Sequence, residues 1–445
     1  MISRMDPKSQ DVIIDALDYT TMPGTQCCIE SARWRKVPLR NAFQPEGPWE
    51  FVLTNNSSTY LDLKRTQLVF KFKITDENGS PVEMSNVENN RVLYAPINNI
   101  AHSIVKNFTL LINSQQAYHN SENYAYKSYF ENTLMYSKEI KDSTLTAAGY
   151  YFDSKINDID SPGWQSRATL VANGAEVEVA ANISIDLMNQ PRALINSCNA
   201  KLIAYPNESK FLIEAFNDPP KDVKYRFQVL RVHAMVQDLH VVDGMTNALE
   251  ATLLEHKMFQ YPLIESQVRN FYIDGGRLEA QSGPLFNSKM PRRIFLGLVS
   301  SESYNGSYNT SPFAFMPYGV SNVHIDFCGQ TIPGRPMNLN FDNNDFIEPY
   351  ILMQESLGHA RNNVSCNSIS REMFKDGGFT IFGFELSPVA LDSNLFDLVR
   401  RTDTFVRVNF IKKTPVGGLF VIVYAEFDQL LAIDLNRKII TDTIV

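Results

Sequence analysis

No stretch of this sequence approaches the roughly 18–20 consecutive apolar residues that a membrane-spanning helix requires. Catalytic signatures are missing as well: there is no Gly-rich phosphate loop, no HExxH, no CxxC pair and no G-x-S-x-G elbow. The seven histidines are scattered, and no two of them form the H-x-H arrangement that metal-binding β-barrels use. An excess of one charge is also missing. The 41 Lys and Arg against 49 Asp and Glu leave a net charge of −8 over 445 residues, without the basic surplus of a dedicated nucleic-acid binder. Residues 1–7 (MISRMDP) lack the apolar centre of a secretory signal. Cysteine is scarce: Cys27, Cys28, Cys198, Cys328 and Cys366 have no metal-ligand spacing, and the adjacent pair can bridge only with strain. The expectation is reduced, buried thiols in a chain made and used inside cells. Without a secretory route, the Asn-x-Ser/Thr sites at Asn56, Asn107, Asn182, Asn207 and Asn305 carry no weight.

Aromatic residues, in contrast, are plentiful. The 28 Phe and 19 Tyr suit sheet-rich cores or extensive interfaces. Leu68, Phe70, Phe72 and Ile74 alternate with Val69, Lys71 and Lys73, the period of a half-buried strand. Ile294 to Val299 and Val421 to Tyr424 are nearly continuous apolar runs, as strands covered on both faces should be. Turn clusters at 55–58 (NNSS), 77–81 (ENGSP) and 417–418 (GG) separate the strands, and the class is all-β, sandwich or barrel. Helices are few. Asn123 to Ile140 is one, with Tyr126, Tyr129, Phe130, Leu134 and Met135 at helical spacing, read as packing rather than as a ligand site. Asp345 to Leu357 is a second, with its start held near Pro349. A third, Asn247 to Met258, puts Leu249, Leu253 and Leu254 on one side behind a Thr246 or Asn247 cap.

The order of these landmarks repeats. The strand-like run Phe108 to Gln116 precedes the aromatic segment Asn123 to Tyr136, just as Val323 to Thr331 precedes Asp345 to Leu357. Each half then has a long strand-poor stretch, about Lys141 to Asn173 and Gly358 to Gly378. Loops of that length usually carry function or contacts. Each half closes on a β-rich run, Val229 to Asp243 and Leu419 to Asp434. Each half is long enough to bury its own core, and the third helix lies between them as a connector. Residues 1–44 read as an arm: Val12, Ile13, Ile14 and Leu17 are its only apolar cluster, too little for a core, so it should drape on its own domain or on a neighbour.

Three groups of residues were candidates for chemistry. His233 and His240 are seven apart on a strand and should face opposite sides, which disfavours a shared metal. Asp342-Asn343-Asn344-Asp345 has the composition of a calcium loop but not its alternating ligands or closing Glu, so turn and helix cap (Asp345 at the N-cap) is the better reading. Arg33, Arg35, Lys36 and Arg40 surround Trp34 and could touch nucleic acid, but four cations make a small footprint, and a solvated strand face or a neighbouring subunit's carboxylates fit better. No catalytic, cofactor-binding or metal-binding residue is assigned.

The chain resembles the double jelly-roll major capsid proteins of Polinton (Maverick) elements and adintovirus-like viruses, related to adenovirus hexon and virophage capsid proteins. The resemblance runs from about Pro23 to the C-terminus. In the first half it rests on Pro48 to Val52 (PWEFV), Tyr60 to Thr66 (YLDLKRT), Pro96 to Asn99 with Ala101 to Ser103, and Asn123 to Glu131 (NYAYKSYFE). In the second it rests on Pro291 to Val299, Tyr304 to Tyr308 (YNGSY), Pro312 to Phe315 (PFAF) and Val421 to Glu426 (VIVYAE). The chain departs from the family at Cys27-Cys28 and in its long loops.

The resemblance implies two eight-stranded antiparallel jelly rolls in tandem with a few short helices. The expected division is an arm over 1–44, a first roll over 45–243, a connector with a short helix over 244–262 and a second roll over 263–445. It implies a non-enzymatic major capsid protein with no cofactor. That protein forms a homotrimer whose six similar rolls make a pseudo-hexameric capsomer of an icosahedral virion shell. Its partners would be other capsomers and minor or penton capsid proteins, with no membrane span and no sequence-specific nucleic-acid binding. In this reading the two long loops decorate or join capsomers, and the arm bridges to a neighbour or to an inner minor protein. One rival is a receptor- or carbohydrate-binding two-domain β-sandwich of a virion, which predicts aromatic platforms or calcium sites on exposed loops. The other is a cupin-like enzyme, which needs a histidine cluster.

Overall fold

In the computed structural model the described residues run from 8 to 441, apart from 9, 11, 88–89, 120–122, 216–224, 257, 288, 362, 364–365, 393 and 399; the side chains of 85–92 and 119 are also left aside. The segment 1–7 searched for a secretory signal lies outside them. Sixteen strands carry the architecture. The first eight are β1 (Ile29–Val37), β2 (Trp49–Thr54), β3 (Thr59–Asp76), β4 (Val105–Ile112), β5 (Gln115–His119), β6 (Val177–Asn182), β7 (Asn199–Pro206) and β8 (Tyr225–Val241). They form two four-stranded sheets, β1-β8-β3-β6 and β2-β7-β4-β5. The next eight are β9 (Met258–Ile273), β10 (Glu279–Gln281), β11 (Arg293–Ser300), β12 (Val320–Phe327), β13 (Gln330–Ile332), β14 (Ile381–Glu385), β15 (Thr404–Phe410) and β16 (Leu419–Asp434). Their sheets are β9-β16-β11-β14 and β10-β15-β12-β13, with a short strand β17 (Ile439–Thr441) added beside β16. Adding eight to each strand number of the first half reproduces the second. All pairings are antiparallel, and two facing sheets of four, in this order, make each half a jelly roll.

Local pattern explains most of these elements. In β3, Leu68, Phe70, Phe72 and Ile74 are buried while Val69, Lys71 and Lys73 are half-buried, so one face meets the core and the other does not. β11 and β16 behave differently. Ile294 to Val299 and Val421 to Phe427 are buried without a break, because both faces of the sheet are covered. The hairpins β4–β5 and β12–β13 turn on Asn113-Ser114 and Cys328-Gly329. All four residues have positive φ (48°, 68°, 49° and 71°), as a two-residue turn between twisted antiparallel strands requires. The repeat read from the sequence therefore extends to backbone conformation.

Several expectations are corrected. Residues 29–37, read as part of the arm, are β1, paired along β8 from Ile29↔Val241 to Val37↔Ala234. The strand was hidden because it is an edge with both faces largely exposed and hence no alternation. Of the two places expected for Val12, Ile13, Ile14 and Leu17, their own domain or a neighbour, the first does not hold: all four are exposed on their own chain. The aromatic helix α1 (Tyr124–Met135) stops before Tyr136, and a separate turn of helix covers Lys138–Lys141. A ten-residue helix, α2 (Pro162–Val171), lies inside the stretch Lys141 to Asn173. The connector helix α3 starts at Asp243 and ends at His256, so neither Thr246 nor Asn247 caps it, and Leu254 faces solvent while Leu253 is buried. β9 then begins at Met258, within the span assigned to the connector. The fourth helix, α4 (Ile347–Ser356), has Phe346 at its N-cap with no side-chain cap, so Asp345 does not serve there; Asp345 instead pairs its backbone with Asn340. Of the five thiols only Cys198 is buried, which pushes it up to about 11; Cys27, Cys328 and Cys366 are exposed.

The long loops are also more ordered than loops that merely decorate a surface. In the first, Arg167 of α2 is buried and its Nη1 lies 2.6 Å from Asp153 Oδ2. Its Nη2 lies 3.2 Å from Glu214 Oε2, and its Nε donates to Pro96 O at 3.0 Å. Trp164 packs on Ala95 and Ala168 beside it. In the second, Asn367, Ile369, Met373 and Phe374 are buried. The two loops meet, Ile156 N donating to Gly377 O at 2.8 Å.

Gly297 marks where a buried strand must stay bare. A methyl there would enter the ring of Phe315, which packs 5.1 Å from Phe130 of α1. Gly297→Ala should lower unfolding free energy by roughly 1–3 kcal/mol, the usual cost of overpacking, as read from the denaturant midpoint.

Candidate functional site

Each residue group weighed from the sequence ends apart from its companions. His233 stands beside Val69 on the first roll, and His240 is exposed with Nε2 3.8 Å from Glu30. Arg35 forms a two-pronged pair with Asp238 (2.7 and 3.0 Å) and also donates to Thr54 O. Trp34 and Lys36 take the other face of β1, so alternation splits the basic cluster between two surfaces. Asp342 pairs with Lys412, seventy residues further along the chain, at 2.5 Å. Among the described residues no three His, Cys, Asp or Glu side chains converge to hold a metal ion. Two hollows, about 600 Å³ beside Phe43 and Arg226 and about 500 Å³ beside Cys328 and Arg407, have no histidine in their walls.

The chemistry of this chain is concentrated at the seam between its rolls, and α1 builds most of it. Every residue from Tyr124 to Leu134 is buried, so the helix has no solvent face. Ser128 and Asn132 bind Asn99 of its own roll (3.2 and 2.9 Å). The aromatic side chains reach into the second roll. Tyr126 stacks on Tyr304 with ring centroids 5.8 Å apart, and Tyr129 stacks on Phe313 at 4.1 Å. Phe130 sits 5.1 Å from Phe315 and 5.8 Å from Tyr424 of β16. Such pairs each add about 0.5–1.5 kcal/mol beyond their buried area.

A chain of buried charge runs through the same place. Lys127 Nζ of α1 lies 2.7 Å from Glu131 Oε1 and 3.1 Å from Asp186 Oδ1, and donates to Ser184 O at 2.8 Å. From the second roll, Ser266 of β9 donates its hydroxyl to Asp186 Oδ1 (2.6 Å) and its backbone N–H to Oδ2 (3.2 Å). The Tyr424 hydroxyl lies 3.5 Å from Glu131 Oε1 and donates to Glu426 Oε1 at 3.1 Å. Arg293 then grips Glu426 at both oxygens (2.5 and 3.0 Å) and donates to Ser356 O, the last residue of α4. Burial works against the Lys127 ammonium, but Asp186 and Glu131 outweigh it and hold it well above its ordinary value. Two carboxylates share that one ammonium, and burial pushes the Glu131 carboxyl up against the pull of Lys127. None of Lys127, Glu131, Asp186, Arg293 or Glu426 stood out as a candidate. Two traces were present: Lys127 and Glu131 lie one turn apart in an otherwise aromatic helix, and Glu426 interrupts an apolar strand.

Both ends of the seam are tied as well. At one end the buried Lys141 donates from Nζ to Thr133 O of α1 and to Asn367 O of the second roll's loop, both at 2.6 Å. Burial brings its ammonium down to about 7. At the other end Arg437, in the turn after β16, binds Asn196 (3.1 and 2.9 Å) and Glu250 of α3 (2.5 Å). Asn113 of the first hairpin donates to Arg437 O at 2.8 Å. Between the two ends, the Tyr261 hydroxyl of β9 donates to Ala193 O at 3.3 Å.

No protein-family model matches the chain. It is 63% identical over 425 residues to the uncharacterized protein F54H12.2 of Caenorhabditis elegans, an alignment covering 95% of this chain and all of that one. Among solved structures it is similar to a chain of the Sputnik virophage (TM-score 0.65, 12% identity, 100% of this chain and 94% of that one). It is also similar to the mavirus major capsid protein (0.57, 11%, 100% and 97%) and the Faustovirus major capsid protein (0.53, 7%, 93% and 92%). At these identities the likeness is one of fold, and that fold is the double jelly roll of major capsid proteins. No helix among the described residues is long and apolar enough to cross a membrane.

Two measurements test the seam. Lys127→Met strands two buried carboxylates and should cost roughly 3–5 kcal/mol, whereas Glu131→Gln relieves the surplus negative charge and should stay within about 1 kcal/mol of wild type; urea unfolding at pH 7 compares them. Lys141 titrates at about 7 folded against its ordinary 10.5. Between those values the unfolded chain holds the extra proton, so stability should rise with pH by up to about 1.4 kcal/mol per unit. The unfolding free energy of wild type minus that of Lys141→Met, followed from pH 7 to 10, isolates this rise.

Proposed function

We propose, for a chain that belongs to the family of the uncharacterized protein F54H12.2 of Caenorhabditis elegans, that it is a major capsid protein which trimerises into pseudo-hexameric capsomers of an icosahedral shell. The observation that carries this reading is the repeat of strand order, eight for eight, in two rolls joined by one buried helix. Two similar rolls in one chain give a three-fold assembly six similar bodies, the number needed to fill a near-hexagonal place in a closed lattice. The fold supports the reading, because it is that of virophage and Faustovirus capsid chains.

The finer assignments belong to the same proposal. The source is a Polinton- or adintovirus-like element, and a relative from an animal genome is the company such an element should keep. We divide the chain into an arm before β1, a first roll from Ile29 to Val242, a connector helix over Asp243–His256 and a second roll from Met258 onward. The arm bridges to a neighbour or to a minor or penton protein, in keeping with the exposed apolar residues Val12, Ile13, Ile14 and Leu17. The protein works in the virion shell and is assembled inside the host cell. Its task is mechanical: it buries surface between subunits, with the seam fixing how the two rolls stand to each other.

Sizing by light scattering, with negative-stain microscopy, tests the reading. Three chains of 50.5 kDa should give a particle of about 152 kDa with a six-lobed outline. A stable monomer at high concentration overturns it, and glycan binding by that monomer would favour the receptor-binding rival.

A further inference from the structure

We propose that α4 docks on the outer face of the β1-β8-β3 sheet of a second copy of this chain, repeating between copies the contact that α1 makes within one. This inference rests on the capsomer reading and names the surfaces that hold it together. The helices α1 and α4 occupy equivalent places in the two rolls, each following the second hairpin strand of its own roll. Ser128 and Asn132 face their own roll on α1. On α4 the residues with that spacing are Pro349 and Met353; both are buried, and the Met353 backbone lies against Gly383 of β14. Matching these pairs places Ile347 where Tyr126 stands and Ile351 where Phe130 stands. Tyr126 and Phe130 are 3% and 0% exposed, pressed onto the other roll of the same chain. Ile347 and Ile351 are 47% and 45% exposed. The second helix thus presents the docking face of the first with nothing of its own chain upon it.

The receiving surface is missing its cover in the same way. In the second roll the outward face of β9, β16 and β11 carries Ser266, Tyr424 and Phe295, all taken up by α1 or its neighbours. In the first roll the equivalent strands are β1, β8 and β3. Leu68, Phe70 and Phe72 point to the core, so Val69 and Lys71 point outward, with their cross-strand partners His233 and Arg231 and, one strand further, Met235 beside Lys36. Trp34, two residues from Lys36 on the same face, is 49% exposed. His233 Nδ1 is buried with no hydrogen-bond partner among the described residues. Charge suits the match. Glu348 lies between the isoleucines and Glu355 one turn beyond Ile351, while Lys36, Lys71 and Arg231 share the face of Trp34, Met235 and Val69. The existing partners Arg335, Arg361, Glu178 and, for Lys71, Glu176 belong to surface pairs, which exchange at little cost. A contact from the second roll of one copy to the first roll of the next is head-to-tail, so it must close into a ring or run on; six equivalent seams close with three copies.

The test uses the full chain with two surface substitutions, Ile351→Asp on the helix and Trp34→Glu on the sheet. Each variant alone should elute as a monomer with unchanged circular dichroism and a single cooperative thermal transition, its association weakened at least tenfold. Mixed in equal amounts they should form a dimer and no larger species, since the intact helix of the Trp34→Glu chain meets the intact sheet of the Ile351→Asp chain and the second joint is broken. Trimers that persist in both variants overturn this inference and leave the capsomer reading standing; a wild-type monomer at high concentration overturns both. If either variant misfolds, Ile347→Ser and Lys36→Glu repeat the comparison on milder grounds, and the same mixing result decides.

Discussion

A sheet that is apolar on both faces needs a cover on both, and β16 sets that requirement for the whole chain. Val421 to Phe427 is buried residue after residue, so alternate side chains fill the second roll's own core while the others, Tyr424 among them, look out. The outward side is covered by α1, a helix of the other roll. Neither half therefore stands as a finished unit. The first roll without the second would expose Tyr126, Tyr129 and Phe130, and the second without the first would expose Phe315, Phe420 and Tyr424. Exposed apolar area of this kind is disfavoured by about 25 cal/mol per Å², so the two rolls are held in one relative position.

The buried charges set that position more finely than apolar contact can. Greasy surfaces slide at small cost, whereas a displaced ion pair in low dielectric leaves charge unmatched. The ladder from Lys127 through Asp186, Ser266, Tyr424 and Glu426 to Arg293 crosses between rolls where Ser266 meets Asp186 and Glu131 and where Tyr424 meets Glu131. Its contribution to stability is modest once desolvation is counted; its contribution to register is larger. With Lys141 and Arg437 at the two ends, the seam is fixed along its length.

Periodic features of this fold were legible in the sequence. The alternation in β3, the apolar run of β11 and the order of landmarks follow from side-chain period and are present, whereas Phe108 to Gln116 and Val323 to Thr331, each read as one strand-like run, turn back at Asn113-Ser114 and Cys328-Gly329. What escaped notice has a common cause. β1 is an edge strand largely exposed on both sides, with only Val37 buried, so no alternating burial pattern marks it. Trp164 and Arg167 look like ordinary loop residues until α2 closes over Asp153 and Glu214, and Leu254 looked like core because a helical wheel does not say where the neighbouring roll lies. The seam itself was half-visible: the aromatic helix was rightly read as packing, but a sequence period cannot tell which roll a side chain packs against. Lys127, Asp186 and Glu426 are far apart in the chain and gain meaning only when the two halves meet.

The two sheet faces at equivalent places differ in composition for a physical reason. The face covered within the chain bears Phe295, Tyr424 and Phe420, since it is buried as the chain folds and never needs to meet water. Its counterpart in the first roll bears Val69, Met235 and Trp34 among Lys36, Lys71 and Arg231, a mixture that tolerates solvent. A surface that waits for a partner must stay soluble in the meantime, and contiguous apolar patches of more than a few hundred Å² do not. The helices show the same contrast, with tyrosine and phenylalanine on α1 and two isoleucines beside glutamates on α4. Under the proposed docking, the contrast between the two similar rolls follows from one joint closing during folding and the other being left for assembly.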